Sequence, residues 1–121
     1  WELLGEGILE KAWKGLNCTA FAYGQTGAGK SYSFFGYGAN KGIIPMACTK
    51  IFDRIAANTN PQESFEVTLQ MVEIYMEKIQ DLLVDPSKRG APLEVRQSKD
   101  QVWVDGARKE PCSSYSQIDK Q

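Results

Sequence analysis

The sequence predicts an α/β fold, a central mixed sheet with helices on both faces, on three observations. Residues Gly24-Gln25-Thr26-Gly27-Ala28-Gly29-Lys30-Ser31 fit G-x-x-x-x-G-K-[ST], a loop that joins a strand to a helix. Just before it, Thr19-Ala20-Phe21-Ala22-Tyr23 is a short apolar and aromatic run that suits a buried strand. Earlier still, Leu4, Ile8, Leu9, Ala12, Trp13 and Leu16 recur at helical spacing. Helix, strand, loop and helix in that order are typical of a sheet covered on both sides.

The first helix covers residues 4–16; Gly5 and Gly7 weaken its first turn, and Gly15 and Asn17 suit its end. After the strand and the Gly-rich loop, residues 31–35 make one or two helical turns before Gly36. Residues 36–42 read as a loop. Pro45 suits the first position of a second helix, whose inward face is Ile44, Ala47, Cys48, Ile51, Phe52 and Ile55. Asn58-Thr59-Asn60-Pro61 stops that helix. Phe65, Val67, Leu69 and Met71 then alternate with polar residues as a half-buried strand. Its phase slips at Met71-Val72, as one extra residue in a bulge would make it. Tyr75, Ile79 and Leu82 return to helical spacing. Residues 85–92 are a polar loop, and 93–96 with 102–104 read as a hairpin around Ser98-Lys99-Asp100. Ser114 and Gln117 have the spacing of a capping box at a helix start.

Composition narrows the chemistry. With 121 residues, 42% of them hydrophobic, the chain can bury a core, yet no run approaches a membrane span of roughly 18–20 apolar residues. A net charge of −1 means that any polyanionic partner has to be met by local patches. Cys18, Cys48 and Cys112 are odd in number and widely spaced, which favours a reducing compartment over a disulfide framework or a metal knuckle. Cys18 is expected to be a small buried hydrophobe. The sequence has no histidine, which excludes Ser-His-Asp and Cys-His catalysis and histidine metal sites. Glu73 and Glu77 lack a defined partner and read as structural.

The Gly-rich loop is specific in its letters. Glycines let successive backbone N–H groups turn toward one anion. Lys30 would bring a point charge to the β/γ-phosphates, and Ser31 a hydroxyl to Mg²⁺. A helix starting near Gly29 adds its positive end to the same place. A chance match in a chain this long is on the order of 0.5%, so a mere Gly-rich turn beside a surface lysine is the weaker reading.

The run from Phe21 through the loop to Tyr32 resembles the P-loop strand of kinesin motor domains. Gly42-Ile43-Ile44-Pro45 is similar to the start of that family's next helix. Glu73-Ile74-Tyr75, Glu77 and Asp81-Leu82-Leu83 resemble its E-I-Y-x-E-x-x-x-D-L-L signature. Leu93, Val95, Arg96, Val102, Val104, Gly106 and Ser114 continue the likeness in order. It extends from Trp1 to Gln121, and its finer lettering is most similar to the kinesin-3 group.

The resemblance implies part of a P-loop NTPase motor that hydrolyses ATP on microtubules in the cytoplasm. Carried over to this sequence, Gly24, Gln25, Thr26, Gly27, Ala28, Gly29 and Lys30 would hold the phosphates of ATP or ADP, with Lys30 stabilising charge in turnover. Ser31 would ligate Mg²⁺ and Tyr32 would stack on adenine. Tubulin is acidic, so Lys88, Arg89, Arg96 and Lys99, with Arg108 and Lys109, are candidate contacts; Gln101 stands where members can carry a basic residue. Residues 1–121 are then part of a single motor domain, with its P-loop at 24–31 and a basic hairpin at about 93–104. The family's switch motifs, N-x-x-S-S-R-S-H and D-x-A-G-S-E, do not occur in this sequence. This stretch is therefore expected to read as a piece of a larger domain, inactive alone. It is also expected not to build the whole motor fold, because the P-loop strand's neighbours come later in the family's sequence. Two other functions stay open: a P-loop NTPase of another class, such as a nucleotide kinase, and a kinesin-like module that binds microtubules without turnover.

Overall fold

A computed structural model describes residues 4–118 and resolves them into two units. The first runs to Phe65 and takes the chain up again at Ser114; the second is Glu66–Ser113.

In the first unit, α1 (Gly5–Trp13) packs on α3 (Ile43–Ala56). Arg54 joins them: its guanidinium lies 4.4 Å from the Trp13 ring centroid and pairs with Glu10 at 2.7 Å. Trp13 stacks in turn on Phe65, with centroids 5.3 Å apart. An exposed ion pair contributes about 0–1 kcal/mol, so the Arg54 guanidinium over the Trp13 ring is at least as important in joining the two helices, while the stack ties Phe65 to the end of α1. The face of α3 read from the sequence, from Ile44 to Ile55, is half-buried as expected. Pro45 is the third helical residue rather than the first. It still lies in the first turn, where a backbone N–H would have no intrahelical partner, so the ring costs nothing there. The unit also holds α2 (Lys30–Phe34), β1 (Gly36–Tyr37), β2 (Asn40–Lys41) and α4 (Tyr115–Ile118). The last of these begins directly after Ser114, where the capping spacing puts it.

Three expectations for this unit are corrected. Residues 16–24 carry no regular secondary structure and are exposed, with Phe21 at 85% and Tyr23 at 95%. Apolar letters suit a buried strand, but a strand exists only with a ladder partner, and none of the described residues pairs with this run. Cys18 is likewise exposed, its thiol directed at the Leu16 carbonyl 3.6 Å away. Residues 36–42 form a tight antiparallel hairpin, with Gly36 opposite Lys41 and Tyr37 opposite Asn40.

The second unit is made of antiparallel ladders: β3 (Val67–Leu69) with β8 (Glu110–Cys112), β4 (Val72–Tyr75) with β5 (Lys78–Asp81), and β6 (Glu94–Gln97) with β7 (Val102–Asp105). The hairpin read at 93–104 is present. The phase slip at Met71-Val72 is real but is a change of partner, from β8 to β5, rather than a bulge. The helix expected from Tyr75 to Leu82 is the β4–β5 hairpin instead. Its two turn residues, Met76 and Glu77, are both left-handed, with φ of 47° and 61°. A two-residue turn of this hand normally announces itself as Asn-Gly or Asp-Gly. Met-Glu does not, and the apolar spacing across it mimics a helix.

Ile79, Leu83 and Cys112 are the buried apolar centre of this unit, and Asp81 joins them at 6% exposure. The Asp81 carboxylate accepts the backbone N–H groups of Leu83 at 2.8 Å and Arg108 at 2.6 Å. A buried carboxylate without donors would be costly; here it ties β5 to the approach to β8. Among the described residues the strands make four separate two-stranded ladders, and no large side chain is fully buried.

Candidate functional site

The Gly-rich loop folds as its letters require. Gly24, Gly27 and Gly29 take φ of 148°, 84° and 87°, and Gly29 is the residue from which α2 starts. An L side chain is strained at each of these angles. A Cβ on Gly24 would also lie 3.0 Å from that of Ala28. The Ala28 N–H closes a turn on the Gln25 carbonyl at 3.1 Å. Among the described residues, the N–H groups of Thr26, Gly27 and Gly29 have no hydrogen-bond partner, so they remain donors for an anion.

Lys30, at the start of α2, folds its ammonium over the loop and donates to the Gly24 carbonyl at 2.6 Å and the Gln25 carbonyl at 2.7 Å. Service to phosphate oxygens requires exchanging these two carbonyls for them, a short swing of a flexible side chain. Ser31 is exposed beside it. Next to both residues opens a groove of about 320 Å³ walled by Phe21, Phe34, Phe35 and Ile44. The loop therefore offers backbone donors, one cation and one hydroxyl, the donor set that a triphosphate and its Mg²⁺ need.

Tyr32 is half-exposed, and its ring lies 5.9 Å from that of Tyr37 on the β1–β2 hairpin, tilted by 35°. Sequence reasoning singled out Tyr32 and passed over Tyr37, which lies in a stretch read as loop. An aromatic residue inside a short glycine-rich connection beside a phosphate loop was the available signal.

The basic candidates of the second unit divide into two kinds. Lys88 and Lys99, with Lys109, are exposed and make no ion pair among the described residues. Arg89 is half-buried and donates to the Val84 carbonyl at 2.9 Å and to Gln80 at 3.5 Å. Arg96 lies across its hairpin between Glu94, at 3.0 Å, and Asp105, at 3.5 Å. Arg108 pairs with Glu110 at 2.6 Å. Glu73 is exposed on β4 and Glu77 sits in the hairpin turn.

Residues 2–121 match the family described as kinesin motor domain. The chain is 48% identical over 120 residues to the rat kinesin-like protein KIF28, covering 97% of this chain and 11% of that protein. It is 44% identical over 120 residues to kinesin-related protein 1 of Dictyostelium discoideum, covering 96% of this chain and 5% of that protein. The mouse kinesin-like protein KIF13A is 45% identical over 117 residues, or 96% of this chain and 7% of KIF13A. Among solved structures, the chain superposes on KIF14 with ADP in complex with a microtubule at a TM-score of 0.89 and 38% identity, covering 99% of this chain and 34% of that one. The chain spans only 5–12% of the length of four curated relatives that it matches, the rat protein and kinesin-related protein 1 among them. Its fold is that of part of a P-loop NTPase motor domain.

Proposed function

The chain belongs to the kinesin motor-domain family, and we propose on that premise that it is the nucleotide-binding part of a microtubule-stimulated ATPase motor. The observation that carries this reading is the loop at 24–31. Three glycines hold left-handed angles, the N–H groups of Thr26, Gly27 and Gly29 have no partner among the described residues, and Lys30 and Ser31 follow at the helix start. In this reading residues 24–30 hold the phosphates of ATP or ADP, Ser31 ligates Mg²⁺, and Tyr32 faces adenine. Magnesium would neutralise charge between the phosphates while Lys30 stabilises what develops in transfer. Residues 1–121 are one part of a single motor domain whose switch residues come from other sequence.

The microtubule is the partner, and the cytoplasmic microtubule network the place of work. Lys88 and Lys99 are candidate contacts with no competing ion pair among the described residues; Arg89 and Arg96 contribute only what their internal partners leave. KIF14 has been seen in complex with a microtubule, which supports the assignment for a relative.

Steady-state ATPase of a complete motor domain carrying this sequence tests the reading, measured with and without microtubules. Microtubules should raise turnover, and Lys30→Ala should lower it on the order of 100-fold or more. Basal turnover that microtubules leave unchanged, or stimulation that survives Lys30→Ala, contradicts the proposal.

A further inference from the structure

The β1–β2 hairpin is held against the end of α2 with no space to spare. Gly36 sits at φ 75°, and a Cβ on it would run into the backbone of Asn40 and Gly42. A Cβ on Gly42 would run into the carbonyl of Phe34, and the Gly42 N–H donates to the Phe35 carbonyl at 3.0 Å. The far strand is fixed as well, because the Lys41 ammonium lies 5.2 Å from the centroid of the Tyr115 ring. Tyr37 therefore has its backbone set by the end of α2, and its ring meets Tyr32 at 5.9 Å. Tyr32 directly follows Ser31. Both rings stay accessible, Tyr32 at 48% and Tyr37 at 67%.

A phosphate loop that runs straight into an accessible pair of aromatic rings matches a ligand charged at one end and planar at the other. We propose that Tyr37 is a positioning residue for the nucleotide base: its ring braces Tyr32, and the pair forms the shelf on which a purine stacks. This rests on the reading of residues 24–31 as a nucleotide site. The hairpin then belongs to the ligand site as much as the P-loop does, through packing of rings and with no charged contact of its own.

The test compares binding of ATP with binding of tripolyphosphate, which has neither base nor ribose, in a complete motor domain carrying this sequence. Tyr37→Ala should weaken ATP by about 2- to 10-fold, the change that losing one aromatic pair implies. It should leave tripolyphosphate unchanged, raise KM for ATP and spare kcat. Tyr37→Leu, which keeps apolar bulk without a ring, should lose as much, and Tyr37→Phe should restore ATP affinity. Unchanged ATP affinity in Tyr37→Ala overturns the proposal. Equal losses for ATP and tripolyphosphate also overturn it, because they would mean that the hairpin only props up the P-loop. A parent protein that binds neither ligand sinks the nucleotide reading itself, an outcome distinct from a silent Tyr37.

Discussion

The Gly-rich loop and the β4–β5 turn both depend on left-handed backbone, and they obtain it by opposite means. The loop at 24–31 places positive φ on Gly24, Gly27 and Gly29, whereas the β4–β5 turn places it on Met76 and Glu77. Glycine adopts these angles without steric cost; an L residue gives up roughly 1–2 kcal/mol at each. In the proposed nucleotide site ligand chemistry explains the loop, since its N–H groups would have to face an anion, and a Cβ at these angles would strain the turn. Ladder pairing explains the hairpin: four register pairs from Val72↔Asp81 to Tyr75↔Lys78 close it, and the turn between them takes the angles they impose. In one region the local sequence sets the backbone; in the other the long-range pairing sets it against local preference.

Reciprocal substitutions should break that comparison if it is false. Gly29 is a clean site in the loop, because a Cβ there, as at Gly27, meets nothing within 4 Å and only backbone strain is at stake. Gly29→Ala should lower the stability of a complete motor domain by about 1 kcal/mol, strain of roughly 1–2 kcal/mol less the entropy that alanine removes from the unfolded chain. A urea melt reads this directly. An unchanged midpoint would mean that φ of 87° is not held in the folded protein.

The converse change should be smaller and of opposite sign. Glu77 is exposed and has no ion pair among the described residues, so Glu77→Gly removes strain without removing a contact. Relief of about 1–2 kcal/mol is offset by the extra freedom glycine brings to the unfolded chain, about 0.5–1 kcal/mol. The same melt should show a gain of roughly 0.5 kcal/mol. A loss would place the Glu77 side chain in a contact that offsets its backbone angle.

The same contrast explains what could be read from the letters. The Gly-rich loop and the α3 face were legible because each is fixed by residues within a few positions of one another, by glycine's backbone freedom in one case and by a 3.6-residue period in the other. The run at 19–23 has apolar letters, but burial depends on a pairing partner that its own residues cannot announce. The β4–β5 hairpin was hidden because Met76 and Glu77 are not turn formers, so Tyr75, Ile79 and Leu82 passed for a helix face. The basic residues show a third limit. Lys88 and Arg96 look alike in a list of charges, yet Arg96 is held between Glu94 and Asp105 while Lys88 has no ion pair among the described residues. Counting positive letters therefore overstates the charge that a partner would meet.

A third turn needs neither glycine nor left-handed backbone, and it sharpens the contrast by adding a side chain as the fixing agent. Asp85, at φ −49°, precedes the 3₁₀ turn Pro86–Lys88 and accepts from the Ser87 hydroxyl at 2.5 Å and the Ser87 N–H at 2.8 Å. The hydroxyl bond is the largest influence on the carboxyl and, with the backbone N–H and the Arg89 charge, holds its pKa below the ordinary 3.8 despite a small opposing effect of desolvation. Both donors favour the ionised form, so the folded pKa is depressed relative to the unfolded one. The turn's contribution is then fully present above the unfolded value and is lost as pH falls through the folded value. Because Asp85 lies in solvent, salt and water screen the effect, and it should be the smallest of these changes. An NMR titration of the Asp85 carboxyl carbon should give a midpoint below the ordinary value, and Ser87→Ala should move it upward. An unmoved midpoint would mean that the turn is held by the fixed φ of Pro86 alone, and that side-chain capping is no third way of setting a turn in this molecule.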